Sequence, residues 1–170
     1  MVEKFTIGII VSNHFGVLNR VAGLYAKRGY NIDSLAVGET QDSMFSRMTI
    51  VSTGDKYMKE QVVRQLAKLY DVKMAVVLDR KNSVSVEHML IKIKTNGDKA
   101  TISRIINDYS GKVMDFSDNF ITAEITGSSE KIEEFIGKVT PYKILEVCRS
   151  GPISMAHGME DILGLGVTED

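Results

Sequence analysis

Two hydrophobic periods alternate along this chain, and they do so in the same order twice. Phe5, Ile7, Ile9 and Val11 recur at every second residue, the mark of a strand with one buried face. Ser12-Asn13-His14-Phe15-Gly16 breaks that pattern with cap and turn residues. Val17, Leu18, Val21, Ala22 and Tyr25 then fall at helical spacing. Lys27, Arg28 and Gly29 close the helix with cations at the negative end of its dipole and a glycine stop. Ile32–Gly38 and Met44–Ser52 read as strands joined through the polar 39–43. Gly54-Asp55 opens a second helix with a stripe of Met58, Val62, Leu66 and Leu69, and Val72–Leu78 is a nearly all-apolar strand. The order is β-α-β-β-α-β.

Beyond a short polar stretch, 79–83, the order repeats. Met89, Ile91 and Ile93 alternate, and Ile102, Ile105, Ile106 and Tyr109 form a helical stripe ended by Gly111. Val113–Phe116 and Phe120–Thr126 pair around Asp118-Asn119. Ile132, Phe135, Ile136 and Val139 mark a helix, and Ile144–Cys148 a last strand. Gly29 and Gly111 lie 82 residues apart, Gly54 and Gly127 only 73; the topology repeats, not the sequence. The fold class expected is α+β: two ferredoxin-like βαββαβ domains, each a four-stranded antiparallel sheet with two helices on one face. The boundaries are 1–79, a linker 80–85, a second domain 86–158 and a tail 159–170. One face of each sheet is expected to be uncovered, which favours a dimer. The glycine-punctuated end, with Gly151, Gly158, Gly164 and Gly166, either docks a short helix around Met159–Leu163 or stays loose.

At 170 residues the chain can bury a core in either half without staples. Twenty-one Lys+Arg balance 22 Asp+Glu, so nothing suggests a polyanionic partner, nucleic acid included. The single Cys148 excludes a disulfide framework and a Cys-x-x-Cys zinc or redox pair. No apolar run reaches membrane-span length, and Met1-Val2-Glu3-Lys4 does not open a secretory signal. A cytoplasmic protein is expected.

Catalytic chemistry is hard to place. His14, His88 and His157 stand far apart in sequence with no carboxylate at ligand or base spacing, and no phosphate loop or nucleophile elbow is present. Cys148 falls in a strand expected to be buried, where it would act as a small hydrophobe. Glu133, Glu134, Asp98 and Asp161 read as solvated faces. No catalytic residue and no metal ligand is assigned. The segment with chemical content is Asn13-His14-Phe15-Gly16. Gly16 lets a ligand approach the backbone closely, and the helix start beyond it offers unpaired N–H groups to a carboxylate. Asn13 either caps the helix or meets the carboxylate and ammonium of a zwitterion. Asn31, after the Gly29 stop, is a turn residue by default.

Asn13-His14-Phe15-Gly16-Val17-Leu18-Asn19-Arg20-Val21 and Arg28-Gly29-Tyr30-Asn31-Ile32-Asp33-Ser34-Leu35 resemble the small, regulatory subunit of acetolactate synthase. Ser46–Ile50, Gln65–Val72, Ile91-Lys92 and Glu146–Gly151 extend the likeness over residues 4 to 158. The chain departs at Val86-Glu87, where many relatives have Arg-Glu, at His157, and in its filling of the loop with His14-Phe15.

The resemblance implies an N-terminal ACT domain that dimerises and binds valine between two copies, followed by an ACT-like domain. The family's effector positions match Asn13, Gly16, Val17, Leu18, Asn31 and Ile32. Gly16 and the helix start would take the carboxylate, Asn31 of the partner would face Asn13, and Val17, Leu18 and Ile32 would line an apolar slot. Such a slot separates side chains by only ~1–3 kcal/mol per methylene, so leucine and isoleucine are expected to compete with valine. The implied partner is a catalytic subunit carrying thiamine diphosphate, Mg2+ and FAD, with no cofactor on this chain. The rival expectation is a free-standing amino-acid sensor or transcriptional regulator built on the same domains.

Overall fold

The computed structural model describes residues 2–158. Their element order is β1 (Glu3–Ser12), α1 (Val17–Arg28), β2 (Ser34–Glu39), β3 (Phe45–Gly54), α2 (Lys56–Leu66), β4 (Val72–Leu78), β5 (Ser83–Lys94), α3 (Lys99–Asp108), β6 (Lys112–Phe116), β7 (Phe120–Gly127), α4 (Ser129–Val139) and β8 (Ile144–Ala156). The strands form two four-stranded sheets, ordered β2-β3-β1-β4 and β6-β7-β5-β8. This is the expected βαββαβ pattern, twice. The chain divides into two compact units: one holds residues 2–85 together with 153–158, the other Val86–Pro152.

In the first unit β1 sits between β3 and β4, pairing antiparallel with both. Its odd residues Phe5, Ile7, Ile9 and Val11 point one way and meet Val17, Val21 and Tyr25 of α1 and Val62 and Leu66 of α2 in a single core. The apolar period thus dictates the face each element buries. Tyr25 is 1% exposed, and burial pushes its phenol up to about 12, the neighbouring Ser52 hydroxyl pulling weakly the other way.

The other face of this sheet is not bare. Ile10, Val76 and Leu78 are buried there, with Phe45 and Met74 packed against them. Between them and β2, Arg47 donates to the Ser154 carbonyl at 2.6 Å, Ser154 Oγ donates to Ser85 Oγ at 2.8 Å, and His157 N–H to the Asn82 carbonyl at 2.9 Å. Those bonds exist because β8 runs on to Ala156. Ending that strand at Cys148 was too early, for Gly151 and Pro152 do not break it. Ser83, expected in a linker, opens β5 instead.

The second unit repeats the arrangement. Met89, Ile91 and Ile93 of β5 and Ile121, Ala123 and Ile125 of β7 bury against Ile102 and Ile106 of α3 and Ile132, Phe135 and Val139 of α4. The buried Glu87 carboxylate receives Arg149 Nε and, at 2.9 Å, Ser129 Oγ, while Arg149 Nη1 reaches Glu133 at 2.6 Å. Removing Arg149 would take this cation from the buried Glu87 carboxylate; Glu133 is solvent-exposed as expected and also pairs with Arg149. Cys148 is exposed, not the buried residue its strand suggested, because β8 is the edge strand of its sheet. The segment 159–163, where a short helix was one expectation, lies outside the described residues. No helix among the described residues is long and apolar enough to cross a membrane.

Candidate functional site

The four helices begin in two ways. Asp55 accepts from Met58 N at 2.7 Å to start α2, Asp98 from Thr101 N at 3.3 Å to start α3, and Ser128 from Lys131 N at 3.2 Å to start α4. Each is an ordinary side-chain cap. Helix α1 starts on Gly16 at φ +86°, ψ −6°, with no side-chain cap hydrogen bond. Val17 N–H donates to the His14 carbonyl at 3.5 Å, and no side chain takes up the N–H groups that follow it, which suit an outside acceptor. A left-handed φ of this size is a glycine conformation.

Asn13 does not cap α1. Its Nδ2 donates to Glu39 Oε2 at 3.1 Å and to the Ser43 carbonyl at 2.9 Å, and its backbone N–H to the Met44 carbonyl at 2.7 Å. With the amide hydrogens engaged, Oδ1 is the open group, an acceptor beside the Glu39 carboxylate. That end of the loop suits an ammonium.

The Gly16 end has the opposite character. Asp71, only 3% exposed, places Oδ1 2.9 Å from His14 Nε2 and Oδ2 3.0 Å from Arg20 Nη1. Neither contact has hydrogen-bond alignment; the Arg20 guanidinium faces the carboxylate as an ion pair. The Asp71 carbonyl also accepts from Ser12 N at 2.8 Å, tying β1 to the entry of β4. So His14 does have a carboxylate partner. Sequence spacing missed it because the partner sits 57 positions away.

The six expected site residues divide into three placements. Asn13, Gly16 and Leu18 lie at the open loop and helix start, Leu18 with 46% of its surface exposed. Val17 is turned into the core at 3% exposure. Asn31 and Ile32 lie elsewhere. Asn31 Nδ2 donates to Asp33 Oδ1 at 2.7 Å, Thr53 Oγ1 to Asp33 Oδ2 at 2.6 Å, and Ile32 packs half-buried against the core. Asn13 follows the Ser12↔Phe45 pair, whereas Asn31 precedes the Ser34↔Val51 pair. The six steps along β3 from Phe45 to Val51 put them about 20 Å apart, at opposite ends of one sheet. One protomer does not bring them together.

Arg20, Asp71 and Glu39 complete the cluster without having been singled out. Arg20 and Asp71 both fall inside sequence blocks that carried the resemblance, but nothing local indicates that they meet. Among the described residues no group of three His, Cys, Asp or Glu could hold a metal.

The repeated βαββαβ fold and its glycine-opened first helix define an ACT-domain protein. The family model described as the AHAS small subunit-like ACT domain matches residues 7–74, and the model for the small subunit of acetolactate synthase matches residues 86–158. The acetolactate synthase small subunit of Mycolicibacterium smegmatis is 39% identical over 158 residues, 92% of this chain and 93% of that one. The acetolactate synthase isozyme 3 small subunit of Salmonella typhimurium is 36% identical over 154 residues, 89% and 94% of the two chains. The crystal structure of the acetolactate synthase small subunit from Thermotoga maritima superposes with a TM-score of 0.86 at 34% identity, covering 92% of this chain and 98% of that one. The chain belongs to the acetolactate synthase small-subunit family.

Proposed function

We propose that this chain is a non-catalytic regulatory subunit that binds the thiamine-diphosphate-dependent catalytic subunit of acetolactate synthase, raises its activity and relays feedback inhibition by valine. The condensation of two pyruvates with loss of CO2 then belongs to the partner. The observation that carries the effector half of this reading is the start of α1, where a left-handed glycine stands in place of a capping side chain.

Its surroundings suit an amino acid. Acceptors at Asn13 and Glu39 match an ammonium, while the helix start and the Arg20 side favour a carboxylate. The exposed Leu18 supplies apolar surface for a branched side chain. Because Asn13 and Asn31 sit at opposite ends of one sheet, a site using both takes Asn31 and Ile32 from a second copy. The effector interface is therefore a homodimer's, formed between ACT domains. Feedback follows if valine binds the inhibited assembly better than the active one, by ~1–3 kcal/mol in typical cases.

The test is a thermal melt of the purified chain with each of the twenty amino acids. Ligand at 100 times its dissociation constant stabilises a native site by ~2.7 kcal/mol. A shift is expected with valine and its branched relatives and is expected to vanish in Gly16→Asp. A Gly16→Asp chain that keeps the full valine shift would disprove the site.

A further inference from the structure

We propose that Arg20 supplies the cation that receives the effector's carboxylate, and that buried Asp71 is the positioning residue that aims it. This rests on the reading of the loop as an amino-acid site and names a ligand-contacting residue that the sequence motif did not.

Arg20 is the fourth residue of α1. Helical Cα–Cβ bonds tilt toward the N-terminus, so a long side chain there lies back over the first turn. The structure shows that course: a methyl built on Gly16 would lie 3.8 Å from Arg20 Nη2. Nη1 of the same guanidinium faces the other way, onto Asp71 Oδ2 at 3.0 Å. One edge of the planar fork is thus occupied by an internal carboxylate and the other borders the space above Gly16. The Arg20 side chain is half exposed while Asp71 is 3% exposed, so the anchor is internal and the cation accessible. The Asp71 backbone is held by Ser12 N on its carbonyl, and its carboxylate is confined by burial with His14 Nε2 2.9 Å from Oδ1. A long arginine held at one edge loses less freedom on binding, and its free edge presents directed donors to a carboxylate.

Titration calorimetry on the full chain tests this with L-valine and L-valinamide, which differ only in the carboxylate. A hydrogen bond to a charged group contributes roughly a 10- to 100-fold change in affinity. Arg20→Gln is expected to weaken valine by that factor, to change valinamide little, and so to abolish the preference between them. Arg20→Lys, which keeps the charge but not the fork, is expected to fall between. Asp71→Asn is expected to erode the same preference. Valine affinity unchanged in Arg20→Gln, with binding lost in Gly16→Asp, would overturn the role of Arg20 and leave the site standing. Equal weakening of both ligands would reduce Arg20 to a support of the loop and equally overturn the proposal. A wild-type chain that binds no valine would remove the site and this inference together.

Discussion

At Gly16 one backbone torsion sets what the loop can do. Any L-residue there is strained at φ +86°, and aspartate would also present its own carboxylate close to Arg20 Nη2. Gly16→Asp is accordingly predicted to occupy the effector's place from within, read as the lost valine shift in the melt. Tyr25 gives an independent residue-scale prediction. Its phenol pKa is raised from the ordinary value near 10 to about 12 by burial. The native state holds this proton more tightly than the unfolded one. The associated stability is therefore complete below pH 10 and lost as pH rises toward 12. Denaturant titrations at pH 9 and 12 should show wild type losing about 2–3 kcal/mol more than Tyr25→Phe across that window. At this scale the sequence was partly legible. Asn13 and Gly16 stand out because cap and glycine types are informative by themselves. Arg20 and Asp71 are ordinary charges until the fold brings positions 51 apart to 3.0 Å. Val17 is buried as its helical stripe indicates; its place in an apolar slot was implied by the resemblance alone.

Among the elements, the helix starts differ in whether a side chain caps them. Asp55 and Ser128 occupy the same place in the two halves and satisfy the same orphan amides. Asp55→Ala or Ser128→Ala should each cost about 1 kcal/mol in a thermal melt, with no change in valine affinity. Strands with one buried face were plain from period 2, and Val72–Leu78 matches its expected bounds. Strand ends were not, since they depend on pairing. Ile32 and Asp33 fall outside β2, where Asp33 is held instead by the Val51 carbonyl and the Thr53 hydroxyl. The continuation of β8 past Pro152 depends on partners in β5 and β3 that local composition does not reveal.

For the whole molecule, the separation of Asn13 from Asn31 makes a prediction about assembly. If the effector takes groups from two copies, valine and dimerisation are linked, and each must strengthen the other. Sedimentation at low protein concentration should show the dimer fraction rising with valine, and the dependence should disappear in Arg20→Gln. A dimer fraction indifferent to valine would mean that the site is complete within one chain. The repeated topology itself was legible because it rests on periodicity alone, whereas the return of residues 153–158 to the first unit was not. The best linker in composition, 80–85, runs into β5, and the first unit recruits residues 153–158 from the far end of the sequence.

That recruitment also imposes an order on biosynthesis. Ser85 and Ser154 are bonded, yet 69 residues separate them. At roughly 5–20 residues per second, translation delays that contact by several seconds after the rest of the first unit has emerged. Arg47, 107 positions from Ser154, waits longer still for its carbonyl. The whole of Val86–Pro152 is synthesised in that interval and can fold from contiguous chain. The half that leaves the ribosome first is the half completed last.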